Sequence, residues 1–461
     1  MNVTIKNGNS LQLLKSIPSE SVDCMVTDPP YGISFMNKDW DKAVPDIAIW
    51  KECLRVMKPG AFAFVMCSPR SDVQAEMVIK LKEAGFRVDY SPLYWCYLSG
   101  FPKSMNISKA VDKKLGYERE ITGIDQKFGR ADSGIYQMNV DGENKHVFQR
   151  KDEPASEEAK KLGGSYAGFQ PKPAVEVIIV AMKPLSEKTY VDQALKNGKG
   201  ITWFDDGRIP YQSDKDKEEA IWGKDSEISV YGWAGGKDHK GENDGRLSSD
   251  QGRFPANLLV QDNVLDIGQT KKARSFITKE NESNGSGFSL TFGHVVGSLR
   301  GYDDSGDLSR YFSLDSWYSK NIEELPDYVQ RIFPFLYAPK ASNSERSDGL
   351  GTFEEQSVND GRNMSIDNAF QRGETLRKNV HPTVKPLKLM LYLITIGSRL
   401  GDTILDPFMG SGTTGVAAKI LRRDFVGFEI EGKYFEIARA RIDNHPATRS
   451  IFEFDYGGVL K

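Results

Sequence analysis

The chain predicts an α/β protein built on a parallel sheet, and three observations carry that expectation. In residues 1 to about 100, short apolar runs alternate with helical periodicity. The same alternation returns between about 380 and 445. Within that second segment, "TILDPFMGSGTTG" at 403–415 joins an apolar strand to a helix through a glycine turn.

Taken in order, the first segment runs "VTIK", "SLQLLKSI", "VDCMVT", "PDIAIWKECLRVM", "AFAFVMC", "DVQAEMVIKLKEAG" and "RVDYSPLYWCY". The third of these leaves its strand through "DPPYG". Asp-Pro-Pro reads first as a stiff turn, because proline fixes its own φ and restricts its predecessor. The second segment runs "LKLMLYLITIGSRL", "DTILDPF", "TTGVAAKILR", "DFVGFEI" and "KYFEIARARI". A further strand, "VEVIIVAM" at 175–182, stands apart among turn-forming residues. From about 113 to 170 and from about 205 to 375, glycine, serine, aspartate and lysine dominate and periodicity fades. Trp222, Tyr231, Trp233, Phe254, Phe288, Phe292, Tyr311, Phe312 and Trp317 are too many aromatics for a linker, so a folded insertion is expected there.

A chain of 461 residues accommodates two or three domains, or one large domain with an insertion. Its 39% apolar and 27% charged content fits a globular protein. The first ten residues show no secretory pattern, and the longest apolar runs fall short of the ~20 residues that span a bilayer, so a cytoplasmic protein without a membrane segment is expected. Cys24, Cys53, Cys67 and Cys96 lack paired spacing and read as reduced thiols, leaving no metal site. The net charge of −3 gives no general attraction to nucleic acid, although a local basic face would suffice for binding.

Gly410, Gly412 and Gly415 match G-x-G-x-x-G, in which glycines admit a ligand to the backbone and the following helix N-terminus favours an anion. Asp406 ends the strand before that turn. Glu429 ends the next strand, where an acid commonly accepts hydrogen bonds from ribose hydroxyls. By itself the pattern indicates a nucleoside-containing cofactor and leaves open a dinucleotide or S-adenosylmethionine.

Together, "DPPYG", "HPTVKP" at 381–386 and "LDPFMGSGTTG" resemble the motifs of amino-group DNA methyltransferases, N6-adenine and N4-cytosine type. The catalytic motif precedes the cofactor motif with a variable region between, an order similar to the β group of that family. "FMNKDWD", "SGFPKSMNISKAVDK", "GRFPANLL" and "FLYAPKASNSER" also resemble its phage- and prophage-type members. The resemblance implies a Rossmann-like, doubly wound α/β sheet of the seven-stranded type, in circularly permuted order, with an inserted target-recognition domain. The corresponding parts are a catalytic half (1–112), a variable loop (113–170), a core strand (171–184), a recognition insertion (185–335) and a cofactor-binding half (336–450). It further implies S-adenosylmethionine as cofactor, duplex DNA as partner and a homodimer, and leaves room for a separate restriction endonuclease.

Carried over residue by residue, the resemblance places Asp28, Pro29, Pro30 and Tyr31 in the catalytic motif. Asn9, Thr383, Lys385, Asp406, Phe408, Gly410, Ser411, Gly412, Thr413 and Glu429 fall in cofactor-binding positions. Many relatives have an acid where this chain has Asn9, whose amide oxygen still accepts a hydrogen bond from an adenine amine. Lys385 suits the cofactor carboxylate. His381, Lys340 and Trp40 are weaker candidates, for the cofactor site and, in the case of Trp40, for a cap over the target pocket.

The chemistry explains the residue types. An exocyclic amine on a base is a poor nucleophile because its lone pair is delocalised into the ring. Acceptors around its hydrogens, the Asp28 carboxylate and the Pro29 carbonyl, draw it towards sp³ geometry. Proline has no N–H to compete and holds its carbonyl in aim. Tyr31 offers a stacking face to a base swung out of the duplex. Family members with Asp first in this motif mostly modify adenine and those with Ser mostly cytosine. Adenine N6 is therefore expected, with cytosine N4 as the alternative. A nicotinamide oxidoreductase would leave Asp-Pro-Pro-Tyr without a role, and a catalytically inactive DNA-binding protein would not need both motifs intact.

Overall fold

The computed structural model describes residues 1–33, 41–96, 104–125, 149–169, 174–211, 252–260, 343–358 and 375–445, with a few short pieces between them. Trp40, Lys340 and, Phe254 excepted, the aromatics singled out between 222 and 317 lie outside the described residues.

Eight strands form the central sheet: β1 (Val3–Asn7), β2 (Val22–Thr27), β3 (Met57–Cys67), β4 (Leu93–Cys96), β5 (Val175–Met182), β6 (Leu258–Val260), β7 (Thr403–Asp406) and β8 (Asp424–Glu429). Their order is β1-β8-β7-β2-β3-β5-β4-β6. The two ends of the chain are thus interleaved in one sheet: β1 lies parallel to β8, with Val3 opposite Phe425, and β2 lies parallel to β7, with Cys24 opposite Ile404. This is the non-sequential, permuted Rossmann-like order.

Two expectations are corrected. The sheet is mixed, because β5 runs antiparallel to both β3 and β4. It enters beside the carboxyl end of β3, with Val177 opposite Cys67, rather than through a crossover helix that would reverse it. Among the described residues the sheet also has eight strands instead of seven, since Leu258–Val260, from the "GRFPANLL" stretch, adds an edge strand parallel to β4.

Alternation along the strands divides the core into two layers. Residues such as Cys24, Val26, Phe64, Ile178 and Val180 face one side; Val22, Met25, Ala63, Val65 and Ile179 face the other. The second side is covered by helices of the first half of the chain: α1 (Ser10–Leu14), α2 (Ile47–Val56) and α3 (Ser71–Ala84), through Leu14, Trp50, Cys53, Met77 and Leu81. The first side is covered by helices of the second half: α4 (Leu387–Gly397), α5 (Thr413–Ile420) and α6 (Gly432–Asn444). Helix α4 is apolar nearly all round and buried from Leu389 to Gly397, as a helix without a polar face must be.

The segment expected to be a loop at 113–170 is ordered in part. The Asp112 carboxylate, buried at the helix Ile107–Leu115, accepts from Arg119 Nε at 2.7 Å, Ser156 Oγ at 2.6 Å and the backbone N–H groups of Ala155 and Ser156. Those bonds hold its pKa down at about 2 against the opposing effect of burial. Cys24, Cys53, Cys67 and Cys96 are free thiols. Among the described residues no helix is long and apolar enough to cross a membrane.

Candidate active site

Strand β2 is buried along its whole length and ends at Thr27, so Asp28 is the first side chain beyond the sheet. As an even-numbered residue following Cys24 and Val26, it leaves on the side covered by α4. Tyr31 Oη donates to Asp28 Oδ1 at 2.7 Å, and Lys385 Nζ, from the turn before α4, pairs with Oδ2. The turn is fixed from below by Asp41, whose Oδ1 accepts from the N–H groups of Tyr31 at 2.7 Å and Gly32 at 3.1 Å. Gly32 sits at φ +70°, and a Cβ there would meet Val44 N at 2.9 Å, so the tight turn requires glycine.

These contacts define charge states. Burial, then the neighbouring Asp28, pushes the Tyr31 hydroxyl well above the ordinary tyrosine range, so it remains a donor. Burial works against the Lys385 ammonium, but the Asp28 and Glu176 carboxylates outweigh it and hold its pKa above the usual lysine value. Glu176, at the start of β5, lies 3.4 Å from Lys385 Nζ. The site therefore holds one cation between two carboxylates.

The glycine turn stands at the end of the neighbouring strand, β7. Asp406 directs its carboxylate inwards: Oδ1 accepts from Thr27 Oγ1 at 2.7 Å and Phe408 N at 3.1 Å, and Oδ2 from Thr414 Oγ1 at 2.6 Å. Burial, only partly offset by those bonds, pushes its pKa up to about 6. Through Thr27 this one carboxylate ties β2 to the glycine turn. Gly410 and Gly412 follow at φ +51° and +80°. Ser411 and Thr413 are held by Arg441, whose Nη1 donates to Ser411 O at 2.8 Å and to the hydroxyls of Ser411 and Thr413 at 3.1 Å. Glu429, at the end of β8, accepts from Gly410 N and Glu431 N, each at 2.9 Å.

Asp28, Tyr31, Lys385, Asp406, the 410–413 turn and Glu429 thus gather at the carboxyl ends of β2, β7 and β8. His381 joins them: a Cβ at Gly410 would lie 2.8 Å from its Nε2, and its ring stands edge-on to Tyr434 with centroids 4.5 Å apart. Burial, reinforced by Arg346, Lys385 and Arg441, lowers its pKa to about 3 and keeps it neutral. Thr383 N donates to His381 Nδ1 at 3.3 Å. Phe408 packs edge-on against Trp50 at 5.9 Å.

Two residues have partners within the fold that the sequence reading did not name. Asn9 caps α1, its Oδ1 accepting from Leu11 N at 3.0 Å and Gln12 N at 3.4 Å, so its acceptor is engaged in the fold. Lys385, expected at the cofactor carboxylate, contacts Asp28 and Glu176. Three neighbours of these residues were not singled out in the sequence: Asp41, Arg441 and Glu176. Glu176 carried a signal as the one charged residue in the apolar run "VEVIIVAM", and Asp41 closes the stretch "FMNKDWD". Among the described residues no three His, Cys, Asp or Glu side chains gather to hold a metal ion.

Known proteins show similar features. The type II methyltransferase M2.DpnII of Streptococcus pneumoniae is 50% identical over 68 residues, which is 15% of this chain and 25% of that protein. M2.LlaDCHI of Lactococcus lactis subsp. cremoris is 48% identical over 71 residues, 15% of this chain and 26% of that one. The chain therefore matches about a quarter of the length of these relatives. Among solved structures, the cytosine-N4-specific PvuII DNA methyltransferase aligns over 96% of this chain and 86% of its own, at 14% identity and a TM-score of 0.38, too loose a likeness to inform the chemistry. The family model N6_N4_Mtase, described as DNA methylase, matches residues 22–440. That match spans both the Asp28 turn and the glycine turn, and the chain belongs to the DNA methylase family.

Proposed function

We propose that the protein is a site-specific DNA methyltransferase that uses S-adenosylmethionine to methylate the N6 amine of adenine in duplex DNA, after the base has left the helix. The observation that carries this reading is the placement of the Asp28 carboxylate at the end of β2, directly beside the glycine turn that ends β7. A cofactor on that turn and a base amine at Asp28 would meet on adjoining strands.

The residues present fit the cofactor. Gly412 holds φ +80° and lets the turn close against Ala438 of α6, α5 begins with no side-chain cap on its N–H groups, and Glu429 supplies a buried acceptor. When bound, S-adenosylmethionine supplies a methyl group on a positively charged sulfur. The chain does the rest. Asp28 accepts a hydrogen bond from the amine and takes up the proton it releases, and Tyr31 keeps that carboxylate oriented while offering its ring to the base. The choice of adenine rests on aspartate, rather than serine, at position 28. Incubating the protein with unmodified duplex DNA and cofactor labelled in the methyl group tests the activity: label should enter the DNA, and its failure to do so would refute the reading.

Glu429 adds a pH dependence. Burial is the main cause that raises its pKa from an ordinary 4.5 to about 7. Its proton is held more tightly in the fold than in the unfolded chain, so stability falls as pH rises from about 4.5 to 7 and levels off above that. A ribose that donates to this carboxylate needs the ionised form. Cofactor binding is thus expected to tighten by up to about ten-fold between pH 6 and pH 8. Calorimetric titration checks this, and Glu429→Gln should bind more weakly with a flat profile. An equally steep profile in Glu429→Gln would assign the titration to another group.

A further inference from the structure

Glu176 lies outside both sequence motifs, yet it faces the catalytic turn. Strand β5 runs antiparallel, so its first residues stand at the carboxyl ends of β2 and β3. Glu176 shares a side of the sheet with Ile178 and Val180, the side to which Asp28 and the turn before α4 belong. Asp28 and Glu176 therefore converge from β2 and β5 across the end of β3, with the Lys385 ammonium between them. Both Glu176 and Lys385 are buried, at 9% and 7% exposure. Glu176 Oε2 is sealed from solvent and, among the described residues, has no hydrogen bond of good geometry; Lys385 Nζ, at 3.4 Å, is its ionic partner.

A buried carboxylate retained on an otherwise apolar strand needs a reason, because burying charge is costly unless it is paired. The pairing here is lopsided. Lys385 sits close against Asp28 and at longer range from Glu176. Asp28 is the group that must change partners: it has to accept from an incoming amine, and it loses its negative charge when it takes the amine proton. At that moment a buried ammonium paired only with Asp28 would be left without a counter-charge.

We propose that Glu176 is a positioning residue that receives the Lys385 ammonium while Asp28 engages the target amine, so that the lysine never stands unpaired. This rests on the methyltransferase reading of Asp28. Before substrate arrives, Lys385 holds the Asp28 carboxylate in place. As the amine hydrogen takes the Asp28 oxygen, the short tether before α4 lets Nζ close on Glu176, and the cluster passes from one net negative charge to neutral as the proton arrives.

Two measurements on the full chain test it. In turnover assays, Glu176→Gln should lower kcat by about ten-fold or more, with KM for DNA and the calorimetric Kd for S-adenosylmethionine within about two-fold of wild type. Glu176→Asp should recover most of the loss. In thermal unfolding without ligands, Asp28→Ala and Glu176→Gln each leave Lys385 one carboxylate, whereas the double variant leaves it none. The double variant should therefore lose about 5 °C more in Tm than the two single losses added together. A kcat within two-fold of wild type in Glu176→Gln, or additive Tm losses, would overturn the proposal. Lack of methyl transfer by the wild-type chain would count against the proposed function; the thermal cycle would still decide whether the two carboxylates share the lysine.

Discussion

Asp28→Ala is expected to lower turnover by about 10²–10³-fold, the usual cost of removing one preorganised group that acts on developing charge. S-adenosylmethionine binding should stay within about two-fold, because the loss falls on an interaction made in the transition state. The geometry argues for this separation. Asp28 touches Tyr31 and Lys385, whereas the glycine turn is held by Asp406, Glu429 and Arg441. Lys385 keeps Glu176 as a partner, so the variant should remain folded. Paired turnover and calorimetric measurements check this; loss of cofactor binding with turnover retained would reverse the assignment.

Gly412→Val is expected to act on the other half of the site. Gly412 sits at φ +80°, a conformation that costs a β-branched residue about 1–3 kcal/mol. A Cβ there would also stand 3.0 Å from Ala438 Cα and 3.2 Å from Ala438 O, which belong to the backbone of α6 and cannot swing aside. The turn must shift, and the N–H groups at the start of α5 shift with it. Loss of two charge-assisted hydrogen bonds is worth about 3 kcal/mol, or about 100-fold in cofactor affinity. Calorimetry reads the affinity and circular dichroism the fold; a well-folded variant that binds the cofactor normally would remove the glycine turn from the site.

Local features of the site were legible in the sequence, and long-range ones were not. The Asp28–Tyr31 turn and the 410–413 turn are built from neighbours, so proline, glycine and a terminal acid announce them wherever they occur. Helix α4 and strand β5 were likewise visible as apolar runs of the right length. Lys385 and Asp28, by contrast, are 357 positions apart, and nothing in either stretch names the other as partner. Asp41 lies in a short connection whose carboxylate gains meaning only when the turn above it closes. Strand β6 is three residues long and takes its place from pairing with β4, so periodicity could not reveal it. The antiparallel course of β5 depends on the route of the preceding segment, which composition does not encode. The cap that Asn9 makes on α1 was also not announced by its resemblance to a ligand contact.

The most direct measurement is the identity of the methylated nucleoside. Unmodified duplex DNA incubated with the wild-type protein and S-adenosylmethionine would be digested to nucleosides and separated by mass and retention. An acceptor carboxylate at position 28 predicts methylation of an exocyclic amine, and aspartate rather than serine there predicts N6-methyl-2′-deoxyadenosine, absent with the Asp28→Ala protein. N4-methyl-2′-deoxycytidine in its place would correct the base and keep the chemistry. Methylation at a ring carbon, or the same yield of N6-methyl-2′-deoxyadenosine from Asp28→Ala, would contradict it.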